Sequence, residues 1–553
     1  MIPNRITVAM IGLSLVAVCG LWPGQAAAQV NVDVGGVHIQ IGDRPPPVVE
    51  VMEVEVLTRG PVHEAFAQPV VWDEGAGFII TPRPPAPLDE IIPDEKPAGY
   101  HIVWIPGYWS WDTDRSGFIW VSGCWRAVPP NTSWVPGYWA VARGGYQWIA
   151  GFWATADTEE IEYLPAPPAT LEEGPRGPVF PDSIWIPGCW VRHEGRYAWR
   201  PGFWDQARPN WVWEPAHYVL TPRGWVYVEG YWDYPLDHRG VAFLPIYCPP
   251  RLYGRADFRY SPLIVLDLGV LTVNLFSSPQ RHHYYFGDYY GPEHSREGFR
   301  PWYEARDRHD SYDPIFAHQQ WEHRDDRRWV ENQRTEYEHR RDDKSLRPAR
   351  TYEAMRAEVA RLPEQERRQA QVARPMKEAV SEKTTPFKFD TLDAKTREAE
   401  VGRAKDVHAY KEKRSQWEAP SADPRTGPER REGPAPREVV RPEDPARTAP
   451  RELPRPPAKE VAPPERSQAP DHGAAVKEPR AEPDVQPQKV KIPKPPIAVR
   501  EPVRDKELAA PPKPKQPNPD LEARPKQTKD APGRSKDGDS EDKDKDKPES
   551  KRK

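Results

Sequence analysis

The hexapeptide W-x-x-G-x-W recurs along one stretch of the chain and restricts what that stretch can become. It reads WIPGYW at Trp104–Trp109, WVSGCW at Trp120–Trp125, WVPGYW at Trp134–Trp139 and WIAGFW at Trp148–Trp153. It returns as WIPGCW at Trp185–Trp190 and WRPGFW at Trp199–Trp204, then in the altered forms WEPAHY at Trp213–Tyr218 and YVEGYW at Tyr227–Trp232. Start-to-start spacings are 16, 14, 14, 37, 14, 14 and 14 residues. Periodicity of this kind marks a repeated supersecondary unit. A strand of about ten residues with a turn of about four fills the interval. Turn residues stand where this requires, at Pro129-Pro130-Asn131, Arg143-Gly144-Gly145, Ala207–Asn210, Pro222-Arg223-Gly224 and His238-Arg239-Gly240. The intervening segments, such as Phe118–Val121 and Trp225–Val228, are aromatic and β-branched.

The 37-residue gap divides the copies into two sets of four. Each set closes on a similar phrase, Tyr163–Pro168 and Phe243–Pro250. Short turns between sequential strands predict antiparallel meanders. The expected fold is therefore mainly β, with two tandem meander modules at 99–168 and 183–250 joined by a linker at 169–182. Each module is expected to form a five-stranded antiparallel sheet, and the two either pack face to face or continue as one meander.

Within the motif the two Trp lie five positions apart, which in a regular strand places them on opposite faces. Pro and Gly between them argue against regularity, and a one-residue bulge would bring both rings to one face. The rings are then either a core or an exposed aromatic platform. The platform candidates are Trp104, Tyr108, Trp109, Trp120, Trp125, Trp134, Tyr138, Trp139, Trp148, Trp153, Trp185, Trp190, Trp199, Trp204 and Trp232. Flat rings stack on sugars or on partner side chains, and indole N–H and phenol O–H groups add direction. A core role is the expected one for most of them.

Composition separates this stretch from the rest. Seventeen of the 23 Trp fall between Trp104 and Trp232, whereas Ser421–Lys553 holds 28 of the 70 Pro and no Phe, Trp, Tyr, Met or Cys. Such a tail, 421–553, lacks the apolar surface to bury a core and is expected to be disordered. Residues 29–98 form a lead with strand-like alternation at Val30–Val34, Val37–Ile41 and Val48–Leu57, followed by a Pro-rich run. Residues 251–295 carry an apolar segment, Pro262–Phe276, expected to give one or two buried strands, and a dense aromatic run at Arg281–Tyr290. In 296–420, Phe316–Arg341, Tyr352–Ala373 and Leu392–Ala419 have helical composition but few apolar stripes, which predicts solvated or marginal helices. At the N-terminus, Arg5, the apolar run Ile6–Trp22 and Ala26-Ala27-Ala28 read as a cleavable signal peptide over 1–28. The address implied is periplasm, cell envelope or extracellular space, with no transmembrane segment after cleavage. Net charge is −5, from 78 basic and 83 acidic residues, which gives no global field for nucleic acid.

Beyond the leader stand Cys124, Cys189 and Cys248, which allow at most one internal disulfide, of undetermined pairing. Asp112-x-Asp114-x-Ser116-Gly117 copies the first half of a calcium loop, but Gly123 occupies the position of the closing Glu, so a plain hairpin turn is expected. His282, His283 and His294 lack metal-ligand spacing and read as a surface aromatic cluster. No nucleophile elbow, phosphate loop or Cys/His catalytic pattern stands out, so the chain is expected to be no enzyme, with no cofactor and no metal.

The repeat resembles the YXWGXW/WXXGXW tryptophan-repeat family of exported bacterial proteins over roughly residues 100–250. The resemblance implies an exported β-repeat protein and supplies no catalytic residues. Ala216, Tyr218 and Tyr227 depart from the motif. The expected function is a structural or interaction scaffold of the cell envelope with a disordered tether. The alternative is a carbohydrate-binding module. Partners are a polysaccharide or another envelope protein, with the oligomeric state open.

Overall fold

The computed structural model describes residues 30–34, 37–41, 54–72, 77–99, 101–175, 182–307, 311–381 (apart from 365, 366, 368 and 369), 386–419 and 487–500. The expected signal peptide and most of the expected disordered tail lie outside these residues.

The motifs act in pairs. In the first unit β1 (Ile102–Ile105) pairs with β4 (Cys124–Ala127), and β2 (Tyr108–Asp112) pairs with β3 (Gly117–Val121). The result is one long antiparallel hairpin, interrupted at Pro106-Gly107 on one arm and Ser122-Gly123 on the other. Trp104 stands opposite Trp125, and Trp109 opposite Trp120. The second unit repeats this with β5 (Thr132–Val135), β6 (Tyr138–Ala142), β7 (Gly145–Ile149) and β8 (Phe152–Thr155). After β9 (Glu160–Leu164) come the third unit, with β10 (Ser183–Ile186), β11 (Cys189–His193), β12 (Arg196–Arg200) and β13 (Phe203–Gln206), and the fourth, with β14 (Val212–Glu214), β15 (His217–Thr221), β16 (Gly224–Val228) and β17 (Tyr231–Asp233). Left-handed residues lie at the bends, among them Ser116, Asn131, Gly144 and Asn210.

The fold is mainly β and antiparallel, as expected, but the five-stranded sheets do not form. Pro and Gly end each strand after three to five residues, so the strands distribute over many sheets of two to four. The closing strands cross the boundary between the two sets. β9, which ends the first set, pairs with β16 of the fourth unit through Tyr163–Val226 and Leu164–Trp225. In return β18 (Gly240–Ala242) pairs with β4, and β19 (Ile246–Tyr247) with β3. The two sets are thus neither a face-to-face sandwich nor a continuous meander.

The flanks are more ordered than their composition suggested. Val30–Val34 and Val37–Ile41 form the expected strands and pair with each other, and Val37–Ile41 pairs in turn with Arg259–Pro262. Of the Val48–Leu57 candidate, Glu55–Val56 is a strand and residues 48–53 lie outside the described set. Pro262–Phe276 gives two strands with a helical turn between them. The helices at Trp329–Asp342 and Tyr352–Val359 are largely solvated, as expected, each burying two side chains, whereas Pro314–Glu322 and the long α1 (Ala394–Trp417) are packed more closely. α1 lies against β1 and β6. Its buried residues are Glu400, Val407, Tyr410 and Arg414, so charged side chains interrupt the apolar face with which it packs. Within the tail, β20 (Gln488–Lys491) joins the sheet of β9, which corrects the expectation of disorder for that stretch. Among the described residues no helix is long and apolar enough to cross a membrane.

Candidate functional site

Each repeat unit brings four aromatic rings together. Trp104–Trp125 and Trp109–Trp120 meet edge to face at centroid distances of 5.3 and 5.2 Å. Trp134–Trp153, Trp139–Trp148, Trp185–Trp204, Trp190–Trp199 and Trp213–Trp232 lie at 4.9, 5.5, 5.5, 5.3 and 5.2 Å. Tyr218–Tyr227 fills the last place at 5.3 Å. Such pairs are each worth about 0.5–1.5 kcal/mol beyond the area they bury.

The ring arrangement explains the motif glycine. None of the motif glycines has a left-handed φ. They are required because a ring edge occupies the space of a β-carbon. A Cβ on Gly123 would stand 2.4 Å from Trp104 Cζ2, and one on Gly151 would stand 2.6 Å from Trp134 Cζ2. The first Trp of one motif therefore covers the Gly of its partner motif. In the fourth unit this rule pairs Ala216 with Tyr227, so these two of the three departures from the motif form one compensated change. Tyr lacks the second ring whose edge crowds the glycine elsewhere.

The interruption frees backbone N–H groups that the ladder no longer pairs, and a buried carboxylate takes them. Glu90 accepts from Gly107 N at 3.0 Å, Gly123 N at 2.9 Å and Trp120 Nε1 at 3.0 Å. Glu64 accepts from Gly137 N, Gly151 N and Trp148 Nε1 at 2.9, 3.0 and 3.1 Å. Glu172 accepts from Gly188 N, and from Trp185 Nε1 at 3.0 Å. In the second unit the carbonyls of the same interruption are also bound, because Arg414 Nη1 of α1 donates to Pro136 O and Ala150 O at 2.9 and 3.0 Å. Arg414 is held in turn by Glu418 at 3.0 Å, and Glu418 accepts from Tyr138 and Tyr163. Burial pushes the Glu90 carboxyl up to about 7 against the pull of its three donors. Burial also raises Glu64 and lowers the Lys411 ammonium to about 8, each group partly restoring the charge of the other.

None of these carboxylates was among the residues singled out by sequence. A duplicated signal did exist. Pro85–Glu90 (PAPLDE) and Pro168–Glu173 (PATLEE) precede the two sets, with the bonding carboxylate sixth in one phrase (Glu90) and fifth in the other (Glu172). Ala86 O accepts from Trp109 Nε1 and Ala169 O from Trp190 Nε1, at 2.7 and 2.9 Å. The expected linker at 169–182 therefore includes a buried structural residue, Glu172. A second missed cluster joins the first and fourth units. Arg126 on β4 donates to Asp233 on β17 at 2.5 Å, and Arg239 bonds Glu214 at 2.8 Å and Asp233 at 3.2 Å, all four being buried. These arginines also reach Ala65 O and Phe66 O, which fastens the Glu64 loop.

Of the platform candidates, Trp104, Tyr108, Trp109, Trp120, Trp125, Trp134, Tyr138, Trp148, Trp153 and Trp232 are buried. Trp139, Trp185, Trp190, Trp199 and Trp204 are half-buried. The third unit, unlike the other three, presents all its Trp toward solvent in part, beside Arg192, His193 and Arg196. An aromatic-lined cavity between Tyr108, Trp109, Trp139 and Trp148 offers about 20 Å³, room for about one water.

The remaining candidates are corrected or placed as follows. Cys124, Cys189 and Cys248 are all buried free thiols, so the possible disulfide does not form. Burial pushes the Cys248 thiol up to about 12. Asp112 and Asp114 bracket a hairpin turn, as expected, and Asp114 pairs with Arg59 at 2.6 Å, Arg350 at 3.0 Å and His294 at 3.2 Å. His283 and His294 are buried rather than on the surface. His283 Nε2 is hydrogen-bonded to Tyr108 Oη at 2.7 Å, and burial lowers its imidazole to about 4.

A small, Trp-lined β unit closed by two W-x-x-G-x-W motifs is thus the building block. The family model described as the WXXGXW repeat (2 copies), the family that the repeat resembles, matches residues 103–126, 133–154, 184–204 and 208–232. Each matched segment spans one motif pair. No curated protein and no solved structure is significantly similar to the chain.

Proposed function

We propose that the chain is an exported, non-catalytic protein of the cell envelope whose β-repeat body is a structural or interaction scaffold, with the sequence beyond Ala419 as its tether. The observation that carries this reading is the inward use of the motif. The Trp rings pack on one another and over the glycines, and glycine amides in three of the four units are consumed by internal carboxylates. The chemistry of the repeat is thereby spent on folding. Export rests on Arg5, Ile6–Trp22 and Ala26–Ala28. Cell fractionation with N-terminal sequencing tests it: a mature chain starting at Gln29 outside the cytoplasm is expected, and an intact cytoplasmic chain contradicts it.

The half-buried rings of the third unit favour carbohydrate binding as the second reading. Tryptophan fluorescence of the mature chain, titrated with a broad panel of polysaccharides, separates the two. The scaffold reading predicts no saturable change. A saturable shift that Trp190→Ala and Trp199→Ala remove would establish the binding module instead.

A further inference from the structure

β20 and the residues after it close two sheet edges at once. Lys489–Glu162 and Lys491–Glu160 are opposed in the ladder with β9, and Ile492 N donates to Glu159 O at 2.9 Å. A few residues on, the chain runs along β5. There Trp134 N donates to Ile497 O and Val499 N to Thr132 O, both at 2.9 Å, with Ser133 opposite Ala498. Without this segment β9 and β5 would be open edges, which natural sheets rarely leave uncovered.

The side chains fit the groove in alternation. Val490 is half-buried, and Ile492, Ile497 and Val499 are buried, while Lys489, Lys491 and Lys494 face solvent. Val490 and Ile492 join the cluster of Val135, Phe152, Ile161, Tyr163 and Val226. Ile497 and Val499 enter the main core. An open notch of about 550 Å³ between Ala156–Glu160 and this segment sets Asp157, Glu159 and Glu160 against Lys491, Lys494 and Arg500. Main-chain pairing, pockets for alternate side chains and opposed charge are the elements of peptide recognition by strand addition.

The segment is remote from its groove in sequence. Between Ala419 and Pro487 lie 67 residues, a reach of roughly 220 Å when extended. We propose that β9 and β5 form a strand-accepting groove, and that residues 487–500 are its ligand, bound as a separable peptide that the tether merely keeps nearby. The affinity resides in the groove and not in the connection.

The test uses the full mature chain with a protease recognition sequence inserted after Lys459. After complete cleavage at micromolar concentration, the C-terminal fragment should co-elute with the body on size exclusion. Added labelled peptide of residues 487–500 should displace it. In the cleaved Ile497→Asp/Val499→Asp variant the fragment should elute alone. A wild-type fragment that separates on cleavage would overturn the proposal. So would co-elution that the double variant leaves intact, since the contact would then lie elsewhere.

Discussion

The indole N–H of Trp120 donates to the Glu90 carboxylate at 3.0 Å, and the same carboxylate holds the amides of Gly107 and Gly123. One side chain from outside the repeat thus closes both arms of the interrupted hairpin. The arrangement recurs around Glu64 with Trp148, Gly137 and Gly151. The hydrophobic part of the motif is therefore built around a polar centre.

Removing that centre should be costly. Glu90→Ala leaves buried donors without a partner, at about 1–3 kcal/mol for each group affected. Glu64→Ala should cost more, because it also strips Lys411 of its nearby opposite charge. Urea denaturation followed by tryptophan fluorescence should show lower midpoints for both, with an exposed control such as Glu194→Ala unchanged.

The ring-over-glycine geometry predicts a coupled pair. A Cβ on Gly151 would approach Trp134 Cζ2 and Cη2 at 2.6 and 2.7 Å. Gly151→Ala alone should cost about 1–3 kcal/mol through overpacking. Trp134→Tyr should recover part of this, as the Ala216/Tyr227 combination does in the fourth unit. A double-mutant cycle should give a favourable coupling of at least about 0.5 kcal/mol. Simple additivity would refute the compensation.

How much of this was legible follows from where each signal sits. The period and the Trp–Gly spacing predict β structure because six of the eight copies carry the full motif within six residues. The carboxylates escaped because Glu64 lies 73 positions before Gly137, and a lone Glu reads as surface. The helix α1 is legible in composition but its packing is not, because Glu400 and Arg414 share the buried face with Val407 and Tyr410 and blur its apolar period. β20 escaped because four alternating residues were averaged into 133 residues of Pro and charge. Sequence leaves the platform reading open, since burial of a ring depends on what packs over it from other segments.

The contribution of two buried carboxyls, Glu90 and Asp313, should fall as pH rises. Burial lifts Glu90 and Asp313 to about 7, above their unfolded values of about 4.3 and 3.9. The folded chain therefore holds more protons between those limits. Their contribution is fully present below about pH 4 and is lost as pH rises through 7. Each of these carboxyls should contribute on the order of 2 kcal/mol less at pH 8 than at pH 5, while buried neutral imidazoles such as His283 act in the opposite sense. Glu90→Gln isolates the carboxyl: the variant should gain stability relative to the wild type between pH 5 and pH 8, and a wild-type-to-variant difference that does not change with pH would contradict the burial of Glu90.

The thiols should be present but silent. Cys124, Cys189 and Cys248 are buried and unpaired. A thiol reagent should label none quickly in the native chain and all three in denaturant, without prior reduction. A fast-reacting native thiol, or a deficit in denaturant, would contradict this placement.

The central claim is that the motif is a folding unit closed by a carboxylate, and amide hydrogen exchange reads it directly. Peptides covering Trp104–Trp109 and Trp120–Trp125 should be strongly protected in the native chain. In Glu90→Ala they should lose protection, while those covering Trp134–Trp139 and Trp148–Trp153 remain slow. Unchanged exchange at Gly107 and Gly123 in that variant would show that the carboxylate does not hold the unit together.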